Sequence, residues 1–240
     1  MLVKPLYKLA ASNELGDNQF MDKKTIDWID SCSFGNGPLY PLILSEEDFL
    51  NIENLVPCHE YFLNTDVFDS IHGIRHILRV IVNTTMLCKL LKIDASNYLV
   101  AASIHDLRRL NDRIDPGHGV RAWEWFDDNR QKMPIHTMLM NDNDIVRYST
   151  VFHDTNYDDI PESILSKFKP HIDILKAADA LDRFRQPNSQ WFPNIDYIDL
   201  KEAQKLLSLS KRLTVCSEKL ALSGMGSSLS VITAARELLS

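Results

Sequence analysis

The 240-residue chain is poor in the residues that punctuate regular structure, with 8 glycines and 10 prolines and neither a tandem repeat nor a low-complexity tract. That scarcity argues against a linker-rich or all-β chain, and no stretch alternates apolar and polar residues with period two over a useful length. Its four cysteines, Cys32, Cys58, Cys88 and Cys216, are scattered without a CxxC pair. Neither a zinc knuckle nor a disulfide framework is signalled, and a reducing, cytoplasmic setting is the expectation. No run of about 18 apolar residues occurs, and the opening "MLVKPLYKLAASNELGDN" lacks the continuous apolar core of a signal peptide, so the reading is of a soluble chain with no membrane association. GxxxxGK[ST], GxGxxG and GxSxG are all missing, which sets aside P-loop kinase, dinucleotide-dependent dehydrogenase and serine-hydrolase chemistry. Positive charge is also in deficit. A formal net charge of −7 offers no global attraction for duplex nucleic acid or anionic lipid, so a phosphate-bearing ligand must be captured by local cations or by a metal.

What is present is apolar periodicity. Hydrophobic residues make up 45% of the chain, enough to fill a substantial core, and their spacing is helical. "DVFDSIHGIRHILRVIVNTTMLCKLL" predicts a long amphipathic helix from Asp66 to Leu91 with Gly73 as its weak point. A helix over about 95–110, capped by Asp94 or Ser96, carries "YLVAASI", apolar on nearly all sides and therefore central. Pro116 and Gly117 interrupt the chain before a helix beginning "HGVRAWEWFDDN", whose Trp123, Trp125 and Phe126 are read as core. Further helices are expected at about 142–154, 161–168 and 170–185, the last two opened by Pro161 and Pro170, with two more filling 199–240. Residues 1–66 read as an irregular extension wrapping the core, with one short capped helix at "SEEDFLNIENLV".

Against this apolar background a few ionisable residues stand out. His76 lies among Ile77 and Leu78, His105 and Asp106 follow Ile104, and Asp179 sits between Ala178 and Leu181. Buried singly, such groups are costly, and a divalent cation compensates imidazoles and carboxylates together. The alternative is that each is satisfied separately by a backbone or arginine partner.

The motifs "HGIRHILRV", "AASIHDLRR" and "ILKAADALDRFR", in that order, resemble the HD-domain superfamily of metal-dependent phosphohydrolases over about 67–186. The resemblance implies an all-α HD-type helical bundle spanning 1–240 as a single domain, with residues 1–66 and 187–240 as N- and C-terminal extensions. It places the metal ligands at His76, His105, Asp106 and Asp179. Some members carry two further histidines in the interval and hold two metals, with the aspartate of the doublet bridging; here His118 and His153 occupy that interval. One or two divalent ions (Mn, Fe, Zn, Ni or Mg) are therefore expected. His72, at i−4 from His76, is assigned to substrate binding or support of the ligand set. Arg108, Arg109 and Lys176 are candidates to offset phosphate charge, Arg183 to bind substrate, and Asp106 to take a proton. The alternative for these cations is ordinary pairing with neighbouring carboxylates. His59, His136 and His171 are read as surface or capping residues, and Asp112 and Asp115 as solvated turn residues. The implied activity is hydrolysis of a small-molecule phosphate ester, of a nucleotide or nucleotide-derived signal. Two other classes compete: an HD-type di-iron oxygenase, and a nucleotide-sensing module without turnover.

Overall fold

The computed structural model describes residues 4–240; residues 1–3 of the expected N-terminal extension lie outside the described residues. Among these the chain is all-helical and no strand forms. The N-terminal region contributes α1 (Leu6–Ala11), α2 (Lys23–Ser31) and α3 (Glu46–Asn54). The middle of the chain forms α4 (Ile74–Leu91), α5 (Ser96–Ile104), α6 (His118–Asp128), α7 (Pro134–Leu139), α8 (Asn143–Phe152) and α9 (Glu162–Leu181). After a run of short 3₁₀ turns come α10 (Leu207–Leu222) and α11 (Ser227–Leu239).

Helix α4 is the axis. Every residue from Ile74 to Cys88 is buried, and α5, α9 and α11 pack around it. Its polar stripe, Arg75, Arg79 and Asn83, is buried as well because Glu218 and Ser210 of α10 meet it with hydrogen bonds. The same core takes in Phe49 and Ile52 of α3, Phe126 of α6, and Val231 and Ala234 of α11. A second apolar cluster joins α1 and α2, through Leu6, Ile26 and Ile29, to Phe184 and to Val215 of α10. The N-terminal extension is thus more helical than its sequence suggests. Only α3 announces itself locally: the Ser45 hydroxyl accepts from the Asp48 N–H while the Asp48 carboxylate accepts from the Ser45 N–H.

Three boundaries differ from the sequence reading, each for a physical reason. Helix α4 begins at Ile74, not Asp66. A 3₁₀ turn at Thr65–Val67 brings two carbonyls so close to Gly73 that a Cβ there would lie 2.0 Å from the Phe68 oxygen and 2.4 Å from that of Val67. His72 therefore sits in a turn, and not one helical turn below His76. Helix α5 stops at Ile104 and not at about 110, because the His105 ring bonds the Ala102 carbonyl (Nδ1 to O, 2.7 Å) and takes the acceptor that a continuing helix would use. The third difference is that the two helices expected at 161–168 and 170–185 are one, α9, which runs through Pro170 and ends at Leu181, with Asp182–Arg185 a 3₁₀ turn. The lost hydrogen bond falls on the outer face, where Pro170 and Ser166 are both exposed, while Phe168 and Ile172 anchor the inner face on either side.

Candidate metal centre

Six side chains converge at helix ends. His76 lies in the first turn of α4, His105 caps the C-terminus of α5, and Asp106 follows it in a turn. His118 opens α6 after Gly117, whose left-handed φ of 83° makes the reversal possible. His153 caps α8, and Asp179 lies in the last turn of α9. This reconciles apolar helices with ionisable chemistry: their bodies form the core and their ends supply the polar groups.

Each of the four ligand-candidate histidines has its Nδ1 already engaged by an acceptor. His105 reaches the Ala102 carbonyl at 2.7 Å, His118 the Asp115 carbonyl at 2.8 Å, and His153 the Thr150 carbonyl at 2.8 Å, in every case three residues back. His76 Nδ1 lies 2.7 Å from Asp182 Oδ2. A ring nitrogen facing an oxygen acceptor carries the proton, so the neutral ring turns an Nε2 lone pair inward. Those lone pairs meet: His76 and His105 stand Nε2 to Nε2 at 3.1 Å, and His118 and His153 at 2.9 Å.

Asp106 lies between the two pairs. Its Oδ2 is 3.4 Å from His76 Nε2, and its Oδ1 is 2.9 Å from His118 Nε2 and 3.7 Å from that of His153. Asp179 Oδ1 lies 3.4 Å from His76 Nε2. Although buried, Asp106 Oδ1 and Asp179 Oδ1 receive no hydrogen bond of acceptable geometry. Facing lone pairs and orphaned carboxylate oxygens are what a cation between them resolves, and nitrogen and oxygen donors of this kind suit a divalent metal. Two three-residue groups, His76 with His105 and Asp106, and Asp106 with His118 and His153, are each compact enough to hold an ion.

The electrostatics keep both carboxylates charged. Burial would raise Asp106, but Arg109, His105 and His118 outweigh it and hold the carboxyl well below its usual range. Asp179 is likewise held down, against burial, by Arg185 and the histidines. Burial pushes His105 down to about 3, so the His105 ring takes no second proton. His153 moves the other way: burial disfavours its cation, yet the neighbouring Asp106 and Asp154 carboxylates push it up.

Behind the ligands lies a buried ion network. Asp182 Oδ1 accepts from Arg79 Nε at 2.6 Å, and Arg79 Nη1 donates to Glu218 at 2.7 Å. Glu218, on α10, also accepts from Arg75 Nε at 3.0 Å. His76 is therefore oriented by a chain of charges that ends on the C-terminal helices.

An open cavity in two lobes adjoins the centre, with His153, Asp154, Asp179 and Arg183 shared between the lobes. One lobe, about 500 Å³, is walled by His72, Asp106, Arg109 and Arg185. The other, about 490 Å³, has Tyr157, Lys176, Gln190, Asn194 and Tyr197 on its walls.

The other predicted site residues divide. His72 lines the first lobe, its Nδ1 3.0 Å from Asp112 Oδ1, which also accepts from the Ser70 hydroxyl at 2.7 Å. Arg109 lines the same lobe, with Nη1 3.5 Å from Asp106 Oδ1. Lys176 reaches the second lobe but donates to the Thr155 and His153 carbonyls at 2.6 and 3.2 Å. Arg183 is exposed on the shared rim and donates to the Trp191 carbonyl. Arg108 is turned away from both lobes: it donates to the Tyr61 carbonyl and lies 5.2 Å over the Trp125 ring.

Asp112 and Asp115 are buried rather than solvated. Asp112 also takes the Gln19 N–H at 2.5 Å, and Asp115 pairs with Arg121 and caps the Leu110 N–H. His136 is buried too, and His171 is half-buried against the Tyr98 hydroxyl at 2.7 Å, so neither is a surface residue. Sequence reasoning missed Arg79, Asp182, Arg185 and Glu218. Its available signal was charge recurring at i+3 along apolar helix ends, Arg79 after His76 and Asp182 after Asp179. Comparison of the chain with models of known families, with curated proteins and with solved structures gives no match.

Proposed function

We propose that the protein is an HD-type metal-dependent phosphohydrolase that cleaves a small-molecule phosphate ester, a nucleotide or a nucleotide-derived signal. The observation that carries this reading is the pair of Nε2-to-Nε2 contacts about Asp106, whose buried Oδ1 receives no hydrogen bond, beside an arginine-walled cavity. His76, His105, Asp106 and Asp179 would hold one divalent ion, and Asp106, His118 and His153 a second. A metal in such a set lowers the pKa of water toward neutrality and polarises a phosphoryl oxygen.

The chain's own residues supply the rest. Asp106 keeps its charge and would serve to hold metal through both oxygens; a carboxylate held so far below its usual range is a weak base and does not take the proton of the attacking water. Arg109, on the same wall, offsets phosphate charge. Asp112 accepts from His72 Nδ1 and fixes the ring, and burial keeps the ring neutral, so its Nε2 is an acceptor, suited to a hydroxyl of the substrate and not to an ester oxygen. The main chain of Asp17 and Gln19 braces this pair, since the Asp112 N–H donates to the Asp17 carbonyl at 2.8 Å. The second lobe, with its amide and phenol side chains, fits the uncharged part of the ester.

Elemental analysis of the purified protein, coupled to phosphate-release assays on a panel of nucleotides, tests the reading. The parent is expected to carry at least one transition metal and release phosphate, while Asp106→Ala loses both. Full turnover and full metal content in Asp106→Ala would refute the assignment. Bound iron with dioxygen consumption and no phosphate release would move the chemistry to the oxidative class, and nucleotide binding without turnover under several metals would make the chain a sensing module. Among the described residues no helix is long and apolar enough to cross a membrane.

A further inference from the structure

Among the described residues Arg185 is a buried cation with two nitrogens left without a hydrogen bond. It closes the 3₁₀ turn Asp182–Arg185 that follows α9 and is 3% exposed. Its Nε and Nη1 make no hydrogen bond. The nearest carboxylate oxygens stand off at 3.7 Å, Asp179 Oδ1 from Nη2 and Asp182 Oδ2 from Nη1. Neither is free to compensate it, because Asp182 is committed to Arg79 and His76, and Asp179 faces the metal centre. A buried lysine escapes such a position by losing its proton; a guanidinium does not. Nε and Nη1 are sealed among protein atoms, so compensation has to come through Nη2, which also lacks a hydrogen bond and is not sealed.

The surroundings favour an anion. Arg185 lines the same lobe as Arg109 and His72, and both guanidinium charges act on the His72 ring. In the reading of the site as a phosphohydrolase, on which this inference rests, one divalent ion offsets Asp106 and Asp179. Arg109 and Arg185 are then surplus cations on the wall of a cavity of about 500 Å³. We propose that Arg185 is a substrate-binding residue whose guanidinium, through Nη2, takes a phosphate oxyanion in the lobe beside the metal centre.

The test is isothermal titration of inorganic phosphate into metal-loaded protein, comparing the parent with Arg185→Gln and Arg185→Lys, with metal content measured on each. Arg185→Gln is expected to weaken phosphate at least tenfold at unchanged metal content, and Arg185→Lys, which keeps the charge, to recover part of that loss. Phosphate affinity unchanged in Arg185→Gln overturns the proposal, as does a parent that binds no phosphate. Loss of metal together with phosphate also overturns it, because Arg185 would then serve only to brace Asp179. Should Arg185→Gln not fold, Arg185→Lys decides: parent affinity overturns the proposal, and a loss of threefold or more at full metal content sustains it. Failure of the phosphohydrolase reading looks different: the parent releases no phosphate from any ester, while its phosphate affinity still depends on Arg185.

Discussion

Replacing Asp182 by asparagine tests whether the buried ion network holds the metal centre in place. The carboxylate is fully buried and serves two donors at once, with Oδ2 2.7 Å from His76 Nδ1 and Oδ1 2.6 Å from Arg79 Nε. An amide of the same shape satisfies only one. Whichever way it is flipped, its NH₂ points at a donor, either the His76 ring or the Arg79 guanidinium. Breaking a buried ion pair on one side costs about 3–5 kcal/mol, and Glu218, still 2.7 Å from Arg79 Nη1, keeps this case near the lower end, about 3 kcal/mol. For a chain of this size that is a drop in Tm of about 10 °C, readable by scanning calorimetry. Loss of the carboxylate behind a ligating histidine also weakens metal by about 10- to 100-fold, readable by competition with a chelator. The acid limb carries a further signature. The folded-state pKa of Asp182 is lowered, because Arg79 and His76 outweigh burial, so its stabilisation is full above the ordinary carboxylate range and is lost as pH falls through the folded value. The variant should therefore lose less stability than the parent on going to strong acid. An Asp182→Asn protein that melts within about 2 °C of the parent and holds metal equally well would refute the argument.

His136 provides a pH probe remote from the metal. Burial pushes it down to about 4 and its Nε2 has no partner, so between about pH 6.5 and 4 the unfolded chain takes a proton that the folded chain refuses. His136→Leu should then lose about 2 kcal/mol less than the parent between pH 7 and pH 5 in urea titrations, and an equal loss would show that the ring is solvated. Arg108→Ala removes a guanidinium that lies on Trp125 and faces neither cavity lobe, so phosphate release should stay within about threefold of the parent while Arg109→Ala loses tenfold or more; a large loss in Arg108→Ala would return that residue to the site.

Much of the helical body is legible in the sequence because its signals are local. The Ser45–Asp48 box marks α3, the apolar "YLVAASI" marks a buried α5, and Asp142 caps α8 by accepting from the Asp144 and Ile145 N–H groups. The candidacy of His76, His105, Asp106, His118, His153 and Asp179 is legible in the order of the motifs that carry them, but their place at helix ends is not, because the sequence puts His76, His105, Asp106 and Asp179 inside longer helices. What stays hidden depends on contacts distant in sequence. The start of α4 is set by two carbonyls pressed on Gly73, and the burial of Asp112 by a main-chain N–H from Gln19, 93 positions away. Arg79 and Asp182 read as ordinary helix charges until Glu218, 139 positions from Arg79, is brought beside them. Arg108 and Arg109 are neighbours with the same chemistry, and only packing against Trp125 tells them apart.

Three of the four inward-facing histidines are aimed by carbonyls three positions behind them, and the fourth by a side chain. No point substitution deletes a carbonyl. Residues Ala102, Asp115 and Thr150 can therefore change identity over generations without unaiming His105, His118 or His153, provided the backbone keeps its path. The fourth ring has no such insurance. Sequence drift that spares the ligands themselves will detune this centre first at His76, through Asp182 and the partners that keep Asp182 charged.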